Sequence, residues 1–318
     1  MARSRIDTSF PVPFWARGGH LQTLWGYFLG SPKFQEPGEI FEVRVEDDFL
    51  IGRLHRGNAP LVVSLFHGLG GDADSSYLHR VGLLLHQKLG ASILRMNLRG
   101  QGEGFGRSRF IYHSGSAPDI YAVIKQAREF FPSAFHVGIG FSLSANMILN
   151  LAASEKRDGP DYVIAVNPPT DLEACCASLR RWKNRLYDAS FVSKLRKDKA
   201  KRELFYKLSP VSIPYGSTLW DFDEIYTARE GGFKNRDHYY RECSSASRLK
   251  DILVKTTIIM SQDDPFIPCD SLLGVTLSSQ TNVILAKSGG HLGYLEKTGR
   301  GYTRWMDNKI LELVTAVI

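Results

Sequence analysis

Phe135-His-Val-Gly-Ile-Gly-Phe-Ser-Leu-Ser-Ala-Asn-Met147 decides how this chain is read. A short apolar run breaks at Gly140-Phe141-Ser142-Leu143-Ser144 into a segment compatible with a helix. A strand that turns sharply into a helix and carries a serine between small residues is a nucleophile elbow, Gly-x-Ser-x-Gly. The small flanks let a strained backbone clear its neighbours and leave the hydroxyl at the tip of the turn. The N–H of Leu143, at the positive end of the following helix, then points at any oxyanion formed on an attacked carbonyl. Here the third small position is Ser144, not glycine. Alone the match is weak, because a buried strand-to-helix junction with small packing residues has the same letters. A base, an acid and a second oxyanion donor in the right order separate the two readings.

Outward from the elbow, strand and helix patterns alternate. Upstream, Leu61–Phe66 reads as a buried strand ending in His67-Gly-Leu-Gly-Gly71, and Tyr77–Leu89 as a helix. Ser92–Asn97 is a second strand, closed by the glycine-rich loop Arg99–Gly106, and Pro118–Phe131 is a second helix. Downstream come a helix over Ser144–Ala153 and strands at Tyr162–Val166, Thr256–Met260 and Asn282–Ala286, with a last helix at about Tyr302–Val317. This rhythm predicts an α/β fold with a mainly parallel sheet covered by helices on both faces. Ile40–Arg53 predicts a hairpin that buries Phe41/Val43/Val45 and Phe49/Ile51/Arg53 on one face, and the aromatic-rich stretch 10–30 is expected to cover the core or a pocket edge. Between 171 and 250 the rhythm stops. That charged segment is helical in its first half and turn-rich around Pro210 and Pro214, so it reads as a lid inserted into a core made of 1–170 and 251–318.

Composition bounds the function. The 318 residues are 43% hydrophobic and 23% charged, an ordinary globular balance without an apolar run long enough to span a bilayer. The N-terminal Met-Ala-Arg-Ser-Arg-Ile-Asp lacks the apolar core of a secretory signal. Cys175, Cys176, Cys243 and Cys269 have neither metal-site nor disulfide-framework spacing, so a reducing cytoplasm is the expected compartment. The net charge of +7 is concentrated in one place. Arg180–Lys207 carries eleven Lys/Arg against three acids, or +8, leaving about −1 for the rest.

The missing partners of the serine fall where catalytic groups gather in open sheets, past the C-terminal ends of strands. Asp263-Asp264 follows one strand and His291, in Ser288-Gly-Gly-His-Leu-Gly293, follows the next. Separately, Asp-Asp-Pro is an ordinary turn and a lone histidine in a glycine loop is ordinarily just exposed. Together they complete the chain order Ser142, Asp264, His291. Either Asp263 or Asp264 can orient the histidine; Asp264-Pro-Phe-Ile-Pro268 resembles the α/β-hydrolase acid loop of Asp, two residues, an aliphatic and Pro, which implies Asp264 and leaves Asp263 as a supporting or turn residue. His67-Gly-Leu-Gly-Gly71 supplies the Leu69 N–H as second oxyanion donor beside Leu143. Gly68-Leu-Gly70-Gly-Asp-Ala73 also matches a dinucleotide fingerprint, but no Asp or Glu occurs between Ser75 and Gly102 to bind a ribose. With no P-loop and no metal-spaced His/Glu cluster, neither cofactor nor metal is expected.

These stretches are similar to the YheT-like group (α/β-hydrolase 4) of the α/β-hydrolase superfamily. The resemblance is carried by Gly18-Gly-His-Leu-Gln-Thr23, His67–Gly71, Asn97-Leu-Arg-Gly100, Tyr112-His-Ser-Gly115, Gly140–Ser144, Asp221-Phe-Asp-Glu-Ile-Tyr-Thr227, Gly231-Gly-Phe233 with Tyr239-Tyr240, Asp263–Phe266 and Gly289-Gly-His291. The Gly-His-Leu-Gln-Thr and Asp-Phe-Asp stretches are particular to the group, and Ser144 departs from its usual glycine. The resemblance implies an α/β-hydrolase fold with Ser142 as nucleophile, Asp264 as orienting acid, His291 as base, and Leu69 and Leu143 as the oxyanion hole. It also implies acyl esters as substrates.

The reading is a serine carboxylesterase for short- to medium-chain acyl esters, acting through an acyl-enzyme on Ser142. An acyltransferase passing the acyl group to an alcohol would use the same residues, and product analysis with added alcohol separates the two. A non-catalytic lipid-binding protein on the same fold is the other alternative. The basic segment 180–207 is expected to bring the lid to anionic membrane surfaces. A solvated helical face gives a similar charge run, and with no recognised module in the chain no nucleic acid is expected.

Overall fold

The computed structural model describes residues 5–154 and 158–318. Residues 1–4, which open the stretch read for a secretory signal, lie outside them. In chain order the strands are β1 (Arg5–Thr8), β2 (Glu39–Val45), β3 (Asp48–His55), β4 (Leu61–Phe66), β5 (Ser92–Met96), β6 (Phe135–Phe141), β7 (Tyr162–Val166), β8 (Lys255–Ser261), β9 (Thr281–Ala286), β10 (Leu295–Thr298) and β11 (Gly301–Arg304). β1 to β9 form one sheet in the order β1-β9-β8-β7-β6-β4-β5-β3-β2, parallel except where β3 pairs with β2 and β5. The strand order reverses at β4, so the loops leaving β4 and β6 flank the crevice at the topological switch point.

The central strands are apolar without alternation because both faces are covered. Helices α1 (Gly19–Phe28), α2 (Ser76–Leu89), α3 (Ala117–Phe130) and α4 (Leu143–Ala152) come before β7. Between β7 and β8 lie α5 (Leu172–Leu179), α6 (Arg185–Tyr206), α7 (Leu219–Phe222), a π-helical turn (Asp223–Thr227), α8 (Ala228–Glu230) and α9 (Arg236–Cys243); α10 (Asp270–Leu273) and α11 (Trp305–Thr315) follow. Ile120, Val123, Ile124 and Ala127 give α3 an apolar stripe that joins α4 in one core cluster, while Leu78, Val81 and Leu85 of α2 meet Met306 and Ile310 of α11 in the other.

Four features differ from the sequence reading. β1 adds a strand that no apolar run announces, held by parallel pairing to β9. In the hairpin the turn is only Glu46-Asp47, with Glu46 at φ 56, so Val45 pairs with Asp48, and Leu50 and Leu54 share the buried face of Phe41 and Val43. Starting the second strand one residue earlier swaps its faces, so Phe49, Ile51 and Arg53 lie opposite that set, with Ile51 still buried and Phe49 and Arg53 half-buried. The last helix begins at Trp305, because Gly301–Arg304 pairs with Leu295–Thr298 as a small hairpin. The second half of 171–250 is helical as well, through α7 to α9.

Candidate active site

The elbow follows from local crowding. Ser142 continues the β6–β7 ladder through its N–H to the Val166 carbonyl (2.9 Å), then turns at φ 55, ψ −119, and α4 starts at the next residue. Such a backbone costs a non-glycine residue ~1–3 kcal/mol and persists only where the surroundings enforce it. A Cβ at Gly140 would overlap the Ser144 carbonyl oxygen, and one at Gly68 would lie 2.9 Å from the Ser142 Cβ. Ser144, in the place of the expected glycine, stitches the turn. It is fully buried, and its Oγ donates to the Phe66 carbonyl (2.6 Å) and accepts from the Phe141 N–H (2.9 Å), tying the elbow to the neighbouring end of β4.

Three side chains from separate loops meet in a line. His291 Nε2 is 3.0 Å from Ser142 Oγ, and His291 Nδ1 is 2.7 Å from Asp264 Oδ2. The Asp264 side chain has no exposed surface. Its Oδ1 accepts from the N–H groups of Phe266 (3.1 Å) and Ile267 (3.0 Å), and its Oδ2 accepts from Asn167 Nδ2 (2.6 Å). Asp263 does not reach the imidazole. Its Oδ1 accepts from the Gly290 N–H (2.8 Å), and burial raises its pKa against the pull of that bond.

The loop after β4 leaves one N–H open. The Gly68 N–H donates to the Tyr77 hydroxyl (2.9 Å), the Gly70 N–H to the Tyr112 hydroxyl (2.8 Å) and the Gly71 N–H to the Gly68 carbonyl (3.1 Å). Among the described residues, the N–H groups of Leu69 and of Leu143 have no acceptor. Both residues line the cavity that Ser142 faces. His67 braces this loop. Its Nε2 accepts from the Leu98 N–H (3.0 Å), which leaves the proton on Nδ1 to donate to the Gly68 carbonyl (2.8 Å). Complete burial lowers its pKa to about 4, so it is neutral at pH 7.

The cavity measures about 710 Å³. Leu143, Leu172, Leu179, Phe191, Leu195 and Ile267 give it apolar walls, while Gln101, Asp198, Lys201 and Arg202 are polar groups on the same lining. The π-helical turn contributes Asp223, whose pKa burial raises to about 6, and the Tyr240 hydroxyl donates to its Oδ2 (2.9 Å). Arg99, next to the cavity, is committed to buried carboxylates. It pairs with Asp119 (2.7 Å) and with Asp48, and all three are buried.

Sequence reasoning passed over Asn167 and the hydroxyls of Tyr77 and Tyr112. Asn167 is fully buried at φ 47 and accepts from the Tyr294 hydroxyl (2.5 Å) while donating to Asp264. An asparagine just past a strand and before Pro168-Pro169 was its only signal, since Asn tolerates the left-handed region.

A mostly parallel sheet with a serine on a strand-to-helix elbow, and with an aspartate and a histidine on loops after later strands, defines an α/β-hydrolase. No family profile matches the chain. It is 30% identical over 264 residues, 80% of this chain and 76% of the relative, to "Putative esterase YheT" of Escherichia coli (strain K12), and the chain belongs to the YheT-like family of α/β-hydrolases. Human "Phospholipase ABHD3" is 24% identical over 329 residues, covering 98% of this chain and 80% of that one. Among solved structures, the Pyrococcus furiosus esterase PF2001 superposes with a TM-score of 0.59 at 14% identity, covering 91% of this chain and 97% of that one, a likeness of fold.

Proposed function

We propose that the protein is a serine carboxylesterase that hydrolyses short- to medium-chain acyl esters. One observation carries this reading: the 3.0 Å approach of His291 Nε2 to a Ser142 hydroxyl held on a strained elbow, with Asp264 2.7 Å behind the imidazole. In the proposed reaction His291 takes the Ser142 proton as Oγ attacks the ester carbonyl, and the oxyanion accepts from the Leu69 and Leu143 N–H groups. The imidazolium then protonates the departing alcohol. Water, deprotonated by His291, releases the acid from the serine. Asp264 keeps the Nδ1 proton directed at itself, so that Nε2 is free to accept. An apolar cavity of this size, walled by leucines and Phe191, suits an acyl chain of moderate length. A fluorophosphonate probe should label the wild type and not Ser142→Ala, and the same variant should lose ester hydrolysis. Labelling of the variant at the wild-type rate would move the nucleophile elsewhere.

Residues 171–250 are proposed to act as the lid over this cavity, since α5 and α6 supply Leu172, Leu179, Phe191 and Leu195 to its lining. A second reading concerns where the enzyme works. The basic helix α6 leaves Trp182 and Leu186 before and in its first turn and Leu204 and Phe205 in its last turn exposed, among the lysines and arginines of 180–207. Beside it, α1 exposes Tyr27 and Phe28, and the Lys194 ammonium lies 5.8 Å from the Tyr27 ring. Leu179, Phe191 and Leu195 of the same region line the cavity instead. The exposed aromatics with surrounding cations support peripheral contact with an anionic lipid surface. No helix of the described residues is long and apolar enough to cross a membrane. On the cysteine usage of the sequence, the cytoplasm is the proposed compartment.

A further inference from the structure

The Gly18-Gly-His-Leu-Gln-Thr23 stretch has no part in the chemistry just proposed, yet the structure sets it against the loop that carries His291. That loop is strained. Gly290, Leu292 and Tyr294 have φ of 53, 61 and 45, two of them at residues with a Cβ, so ties from outside must hold it. α1 supplies them at backbone-to-backbone distance. A Cβ at Gly19 would overlap the Asp263 carbonyl, one at Gly290 would overlap the Gly19 carbonyl, one at Gly293 the Gln22 carbonyl, and one at Gly26 would sit 2.6 Å from the Gly293 Cα. Gly26, Gly290 and Gly293 thus let α1 and the loop touch without side chains between them, and Gly19 does the same against the backbone of Asp263.

Two side chains of the stretch then clamp the loop. Gln22 is fully buried and spends its whole amide on one residue, accepting from the Leu295 N–H (2.6 Å) and donating to the Leu295 carbonyl (3.1 Å). The Thr23 hydroxyl donates to the Gly19 carbonyl (2.7 Å), which fixes its proton and turns a lone pair to the His291 N–H (2.8 Å). The neighbouring His20 faces the other way. Its ring stacks on Tyr187 of α6 at 5.8 Å, Tyr187 lies 5.3 Å from Phe266, and Phe266 lies 4.3 Å from the His291 ring.

We infer that this stretch is the buttress of the catalytic base, with Thr23 as the positioning residue whose hydroxyl sets the backbone of His291, and hence the distance from Nε2 to Ser142. The inference rests on the reading of His291 as base. The Nε2 to Oγ separation is already 3.0 Å, so a shift of the loop of ~1 Å breaks the bond, a misplacement that costs ~10²-fold in rate.

Valine has the shape of threonine without the acceptor. Thr23→Val should lower kcat for a short p-nitrophenyl ester ~10²-fold, with KM within about twofold of wild type, and slow fluorophosphonate labelling in parallel. Thr23→Ser, which keeps the hydroxyl, should restore most of the rate. A role limited to packing predicts a lowered Tm with kcat per folded molecule unchanged, or no rescue by serine, and either result overturns the inference. If valine prevents folding, Thr23→Ala removes the same acceptor and carries the same comparison. The Ser142→Ala control separates the two claims. If it retains hydrolysis, the proposed chemistry fails; if it is inactive while Thr23→Val turns over like wild type, only the buttress fails.

Discussion

Asp264→Asn tests the acid loop, and the structure dictates how the amide would sit. Oδ1 of Asp264 accepts two backbone N–H groups, from Phe266 and Ile267, so the amide oxygen is bound to stay there. The NH₂ group therefore takes the place of Oδ2, facing His291 Nδ1 at 2.7 Å and Asn167 Nδ2 at 2.6 Å. As a donor it forces Nδ1 to accept, which moves the imidazole proton to Nε2, the atom that takes the proton of Ser142 in the proposed reaction. Asn167 cannot relieve the donor–donor contact by flipping, because its Oδ1 is held by the Tyr294 hydroxyl. The wrong tautomer should cost ~10⁴ in kcat, about 5 kcal/mol of transition-state stabilisation. Asp263→Asn keeps an oxygen for the Gly290 N–H and removes a carboxylate whose ionisation burial already opposes, so its kcat should stay within about tenfold of wild type. The assay is hydrolysis of a short p-nitrophenyl ester by both variants, with Tm measured alongside. Should Asp263→Asn be the more damaging change, or Asp264→Asn lose less than about tenfold, the tautomer argument is wrong.

Burial lowers the pKa of His67 to about 4 in the folded protein, below the ordinary 6.5 of the unfolded chain. Between those values only the unfolded state takes up the proton, so stability present above about pH 6.5 is lost as pH falls and is gone below about pH 4, a contribution of about 3 kcal/mol. Urea unfolding across that window should show a shallower decline for His67→Gln than for wild type; equal slopes would assign the acid sensitivity to other groups. For the basic helix, sedimentation with anionic vesicles should fall steeply as salt rises, at ~1 kcal/mol per basic residue near the surface, while neutral vesicles bind little and a soluble ester is turned over unchanged. Equal binding to both vesicle types, or to neither, would return 180–207 to a solvated helical face.

What the residues alone determined lies in short windows. The apolar runs of β4, β6 and β7 and Ser142 between the small residues Gly140 and Ser144 specify a buried strand and its turn, because burial on both faces and a strained corner each demand particular side chains locally. The order of Ser142, Asp264 and His291 was legible for the same reason: each sits just past a strand. Tertiary structure alone decided matters that depend on backbone or on helix rotation. The motif names Leu69, but only the fold leaves its N–H open by giving those of Gly68, Gly70 and Gly71 to Tyr77, Tyr112 and the Gly68 carbonyl, since every residue but proline carries the same amide. On α6, apolar residues are scattered among many charges, so no single stripe declares that Phe191 and Leu195 face the cavity while Leu186 faces solvent. Thr23 and His291 stand 268 positions apart, and their hydrogen bond exists because two glycine-lined backbones pack together, a contact that only the folded chain can specify.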